Sequence, residues 1–136
     1  MFYHLKEGYD GPSEIAPEYQ LLDDLGWEAI NNATLQEWQK TAADYAMHIP
    51  DNNVKITKPA GEWNTTRIIF TPELVEHWLN GQKLLSFVPW SEDWYEKKNS
   101  DKWKTSPDYG KFKTGFIGLQ DHASPIWFRN IKIKKL

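Results

Sequence analysis

The dipeptide Asn80-Gly81 constrains this chain's fold more than any other feature. It stands between LVEHWL (residues 74–79) and QKLLSF (residues 82–87). A two-residue type I′ turn needs positive φ at both central positions, which Asn and Gly adopt at least cost, so the pattern predicts an antiparallel hairpin. A helix competes for the same stretch, because Thr71-Pro72 and Gly81 imitate helix caps and Leu74, Val75, Trp78 and Leu79 have helical spacing. Turn chemistry favours the hairpin.

Other segments follow the β pattern. MFYHL reads as a strand end before the turn-rich GYDGPSEIAP, and PEYQLLDD (17–24) reads as a strand. Alternation in that strand puts Glu18, Gln20 and Leu22 on one face and Tyr19, Leu21 and Asp23 on the other. NVKIT (53–57), a PAGE turn and WNTTRIIF (63–70) read as paired strands, and KTGFIGLQDH and PIWFRNIKIKKL supply two more. Thr34 with Glu37 gives a capping-box signature, and Leu35, Trp38 and Ala42 recur at helical spacing, so a short inserted helix is predicted over 35–42. Residues 91–108 are lysine-rich and polar, which suits a helical or looped excursion over one edge. The class is all-β with small helical insertions, and 136 residues fit one domain.

Composition excludes several partners. A net charge of −3 gives no basic field for nucleic acid or anionic membrane. No apolar run approaches the ~20 residues that span a bilayer, and MFYHLKEGYDG lacks the features of a signal peptide. Cysteine is absent, so disulfides do not staple the fold. Glycine-rich phosphate loops, a G-x-S-x-G elbow and helical His pairs are missing as well. Aromatic residues make up 15% of the chain. Exposed rings among them would suit sugars, whose apolar faces stack on aromatic planes; the plainer role is packing at the margins of a small β domain.

Gln120, Asp121 and His122 follow FIGL, where a strand delivers polar side chains to a rim; they serve either a site or simply the fastening of a turn. Glu18 and Gln20 present two polar groups on one face. Arg129 shares its parity with Trp127, and a guanidinium beside a ring both stacks and donates hydrogen bonds. Its structural role would be pairing with a cross-strand carboxylate. His77 is expected to be packed and hydrogen-bonded in its strand.

Taken together, GYDG…PEYQLLDD (8–24), GEWNTTRI (61–68), VEHWLNG (75–81) and GFIGLQDHASPIWFRNIKIKKL (115–136) resemble the 3-keto-disaccharide hydrolase family. The resemblance also supports the hairpin at 75–87. It implies a concanavalin A-like jelly roll, a β-sandwich of two antiparallel sheets, in periplasmic or secreted bacterial proteins acting on glycans or glycosides. Glu18 and Gln20 match the family's E-x-Q, and Gln120, Asp121, His122 and Arg129 match its LQDH…WFRN segment. Glu18, His122 and Arg129 are thus the expected catalytic residues, with Tyr3, His4, Gln20, Tyr45, Gln120, Asp121 and Trp127 as sugar contacts. A divalent metal, if bound, would take Glu18 and His122. The implied chemistry acts on sugars carrying a C3 ketone, whose acidified C2 proton allows elimination of the glycosidic oxygen. That route needs a base, an enolate stabiliser and an acid or Lewis acid.

The chain departs from the pattern in two places. It begins in mid-strand at Met1 with His4 where the family tends to carry another basic residue, so missing N-terminal strands and self-association through an exposed sheet edge are expected. The insert around Trp38 is the second departure. The alternative to an enzyme is a non-catalytic carbohydrate-binding module, or an interaction domain, on the same architecture.

Overall fold

The computed structural model covers residues 1–136. The predicted hairpin is present: β3 (Val75–Leu79) and β4 (Gln82–Phe87) pair antiparallel, and Asn80 and Gly81 have φ of 48° and 83°. Asn80 has a second role. Its side chain donates to the Ile56 carbonyl (2.9 Å) and to Asn64 Oδ1 (2.7 Å), and accepts from the Thr65 amide (2.8 Å). The turn therefore fastens the chain that leads into β2 (Thr66–Phe70), the third strand of this sheet, in the order β2-β3-β4. Period-two burial along β3 sends Val75, His77 and Leu79 inward and turns Glu76 and Trp78 outward, where Arg67 lies 4.2 Å over the Trp78 ring.

A second antiparallel sheet pairs β1 (Phe2–Leu5) with β5 (Phe116–Gly118). The architecture is all-β, a small jelly-roll sandwich of antiparallel sheets with two short helices, α1 (Asp24–Asn31) and α2 (Glu92–Ser100). The inner face of β3 and β4 meets the excursion after β4. There Val75, Leu85 and Phe87 pack with Met47, Trp94, Trp103 and Tyr109. A smaller cluster of Tyr19, Ala42, Leu79 and Leu84 continues that core.

Several expected elements differ. Over 17–24 there is no strand: Glu18 and Tyr19 make single bridges to Phe2 and Asp44, and the chain enters α1, where Asp23 accepts the Gly26 amide as an N-cap. The helix over 35–42 is reduced to one 3-10 turn at Glu37–Gln39, capped between Gln36 and Gln39 and not from Thr34. Tertiary bonds prevail over helical spacing there, since the Ala42 amide binds the Gln20 carbonyl and Thr41 Oγ1 binds the backbone of Leu22. Residues 53–57 form no strand, and PIWFRNIKIKKL is unpaired, with Ile133 78% exposed. A β pattern assigns faces, but a strand also needs a neighbouring backbone edge. The only β5 partner is β1.

Candidate active site

Glu18 lies where the two sheets come together. Its neighbour Pro17 accepts the Tyr3 amide, its own carbonyl accepts the Tyr45 amide (3.0 Å), and Phe2 bridges to it from β1. These main-chain bonds hold a residue that is only 8% exposed. No protein group hydrogen-bonds to its carboxyl, yet the carboxyl oxygens are not among the fully enclosed polar atoms. Burial raises its pKa above the ordinary carboxylate value; the Met1 amino group, Lys102 and His122 pull it down, and Asp44 pushes it up. Desolvation dominates. The site thus holds a carboxyl that is reachable at its edge, free of competing donors and more basic than usual.

A polar cluster that sequence reasoning missed lies deeper. Asp44 is fully buried, and its Oδ2 lies 2.8 Å from His48 Nδ1. That contact fixes the ring, which stacks on Phe87 with centroids 4.1 Å apart. Asp44 Oδ1, Tyr3 Oη, Tyr109 Oη, His77 Nε2 and His48 Nε2 are enclosed without a hydrogen-bond partner, although His48 Nε2 lies 3.9 Å from Asp93 Oδ2. Burial holds the Tyr3 and Tyr109 hydroxyls well above the ordinary tyrosine value, and the Asp44 charge adds to it, so both stay neutral donors. Such a concentration of unpaired buried polar atoms is unusual, because each costs about 1–3 kcal/mol. No periodicity marks Asp44; the one sequence signal is its Asp-to-His separation of four residues.

His77 is packed and hydrogen-bonded as expected. Its Nδ1 donates to the Ala42 carbonyl (3.0 Å), leaving Nε2 as the unprotonated nitrogen. Burial lowers its pKa to about 4, against the opposing effects of Asp44 and the Ala42 carbonyl. Between pH 6.5 and about 4 the unfolded chain therefore binds a proton that the folded chain refuses, and stability present above pH 6.5 is lost as pH falls. We expect urea denaturation at pH 7 and pH 4.5 to show a loss on the order of 2–3 kcal/mol larger for the parent than for His77→Gln. Equal losses would remove His77 from the acid response.

The other sequence-nominated residues separate into two groups. His122 is exposed on the loop after β5, and its charge acts on Glu18; Tyr3 borders the same cluster. Arg129 is elsewhere: its guanidinium lies 3.9 Å over the Trp63 ring, and it is not among the charges acting on Glu18. Trp127 is 74% exposed. Gln20 donates to the Gln39 carbonyl, and Asp121 accepts the Ala123 amide, which fastens the turn. Gln120 is half-buried. Tyr45 packs against Trp38 and Trp103 beneath the Lys102 ammonium, 4.2 Å from its ring. His4 stacks beside Trp90. No group of three or more His, Asp or Glu side chains is placed to hold a metal ion. Glu18 and His122 offer two donors, fewer than the three or four protein ligands of a zinc site.

Comparison with known proteins agrees with this reading of the fold. A curated 3-keto-disaccharide hydrolase of Bacteroides thetaiotaomicron is 33% identical over 132 residues, 89% of this chain and 44% of the relative. A crystal structure from Parabacteroides distasonis ATCC 8503, described as a candidate glycosyl hydrolase, is 44% identical with a TM-score of 0.73. That match covers 84% of this chain and 52% of the solved one. The chain thus spans about half the length of these proteins or less. The family described as 3-keto-alpha-glucoside-1,2-lyase-like domain matches residues 1–134, and on that match the chain belongs to it.

Proposed function

We propose that this chain carries the catalytic base of a carbohydrate-cleaving enzyme that acts on 3-keto glycosides by elimination. The observation behind this is Glu18, a buried carboxyl with no protein donor on it and a raised proton affinity. A general base works best when its pKa approaches the working pH, and burial moves Glu18 in that direction.

The ketone at C3 acidifies the C2 proton. Glu18 takes that proton, the C–H electrons form a C2–C3 double bond, and the carbonyl π pair moves onto the C3 oxygen. Collapse of this enolate restores the ketone, forms a C1–C2 double bond and expels the glycosidic oxygen. His122, exposed on the loop after β5, supplies the proton that this oxygen takes up. Water then adds across the C1–C2 bond to complete a net hydrolysis. Export to the periplasm or beyond belongs to the same proposal.

The test uses the full-length protein with a 3-keto disaccharide and, separately, its unoxidised parent, each with and without chelator. Cleavage of the oxidised sugar alone supports elimination. Cleavage of both would point to direct hydrolysis, and loss with chelator would bring back a divalent metal. Binding without cleavage would favour the carbohydrate-binding module, a reading that the exposed Trp127 favours.

A further inference from the structure

Elimination from a 3-keto glycoside builds negative charge on the C3 oxygen, two bonds from the carbon that loses its proton. A group that holds this charge must therefore stand beside the base and offer a positive charge or a hydrogen-bond donor. Arg129 lies over Trp63 and is not among the charges acting on Glu18. Three positive groups do act on that carboxyl: the Met1 amino group, Lys102 and His122. The Met1 amino group donates to the Tyr19 carbonyl (2.8 Å), and burial lowers its pKa to about 6, so it is largely neutral at pH 7. His122 is the proton donor of the proposed reaction. Lys102 has no part in the steps above.

Main-chain and aromatic contacts bring Lys102 to the Glu18 face. The Tyr45 amide binds the Glu18 carbonyl and the Gln20 amide binds the Ala43 carbonyl (both 3.0 Å), so Glu18 stands opposite Tyr45 across a short antiparallel contact in which Tyr19 pairs with Asp44. Opposed residues point their side chains to one face, with Cβ atoms about 4.5–5.5 Å apart. The Lys102 ammonium lies 4.2 Å from the centroid of that Tyr45 ring and 4.8 Å from that of Trp103. Both rings are anchored. Trp103 Nε1 donates to the Tyr45 carbonyl (3.2 Å), and the Trp103 ring stacks on Tyr109 at 4.1 Å. Local sequence sets this up: Lys102 opens the 3-10 turn Lys102–Thr105 after α2, which buries Trp103 and leaves Lys102 exposed. Lys97 and Lys111 pair with Asp93 and Asp108, whereas Lys102 makes no ion pair within the chain. An ammonium has three donors, so one turned to a ring leaves others for an oxygen.

We propose that Lys102 holds the C3 enolate oxygen during elimination. As Glu18 removes the C2 proton and the carbonyl pair moves onto the C3 oxygen, the Lys102 ammonium donates a hydrogen bond to that oxygen and balances its charge. Lys102 transfers no proton. When the enolate collapses, the charge passes to the glycosidic oxygen, which takes its proton from His122, and Lys102 is left as it began. This role rests on the elimination reading above and supplies the stabiliser that the route requires.

The experiment follows enolisation apart from bond cleavage. A 3-keto glucose analogue with a methylene at C1 has no leaving group, so on the full-length protein in deuterium oxide its C2 proton exchanges while nothing is expelled, and NMR reads the rate. Lys102→Met keeps the stem over the two rings and removes the charge. Its thermal midpoint should stay near the parent's, while C2 exchange and kcat on a 3-keto disaccharide both fall by about 10²-fold, the scale of one donor lost from a developing oxyanion, with KM little changed. The acid limb of its pH–rate profile should also move up in pH, because the lysine draws the Glu18 pKa down against burial and Asp44. Lys102→Gln is the second variant should Lys102→Met fail to fold. Exchange and cleavage at the parent's rates in a folded variant, or an unmoved acid limb, overturn the role of Lys102 and leave Glu18 as the base. A parent that neither exchanges the C2 proton nor cleaves the disaccharide overturns the elimination reading, and the role of Lys102 falls with it.

Discussion

Glu18→Gln should lower turnover of a 3-keto disaccharide by about 10²- to 10⁴-fold, the range supplied by a positioned general base. Gln keeps the shape of the side chain and removes its charge, and it is the charged form that burial penalises. The variant's thermal midpoint should therefore match or exceed the parent's, a result that separates chemistry from folding. The pH profile is a second readout. A base must be deprotonated to act, so the parent's rate should fall on the acid side as pH passes down through the Glu18 pKa, at a point above the usual carboxylate range. Residual activity in Glu18→Gln should lack that acid limb. A variant retaining most of its rate would transfer the proton abstraction to another group.

Trp94→Ala should be the most destabilising single change in the core, costing about 3–5 kcal/mol. Its indole is 2% exposed and parallel to the Tyr109 ring. A Cβ added at Gly110 would stand 2.3 Å from Trp94 Cη2, so the ring closes directly on the backbone. Its position follows from local sequence: Ser91 Oγ accepts the Trp94 amide and starts α2, which lays an otherwise polar helix across the β3–β4 face. Against a typical total of about 5–15 kcal/mol, such a loss would leave a marginal fold. Urea denaturation measures it, and a loss below about 1 kcal/mol would mean that the cavity collapses or fills.

Local chemistry was legible where it decided the outcome. Asn80-Gly81 forms its turn with little help from afar, and the polar run after Ser91 forms the helical excursion its composition suggested. Where pairing depends on distant backbone, pattern was insufficient. PIWFRNIKIKKL alternates like a strand and has no partner edge, and the spacing of Leu35, Trp38 and Ala42 is overridden by bonds from Gln20 and Leu22. For the site, E-x-Q led to Glu18 because a short motif marked it. Asp44 was invisible because its burial arises from a bridge to Tyr19 and from tyrosines at positions 3 and 109. Arg129 was placed by strand parity, and its segment is not a strand.

The pairing of Phe2 with Gly118 joins opposite ends of the chain, whereas β3 and β4 are joined by two residues. Closing so long a loop loses far more chain entropy than closing the hairpin, and nothing is gained until the contact is made. The β3–β4 unit is thus the cheaper to close, and the β1–β5 ribbon, three residues on one side, the costlier. Glu18 bridges to Phe2 in that ribbon, so the geometry of the proposed base is tied to the strand whose other partner is the most distant in sequence.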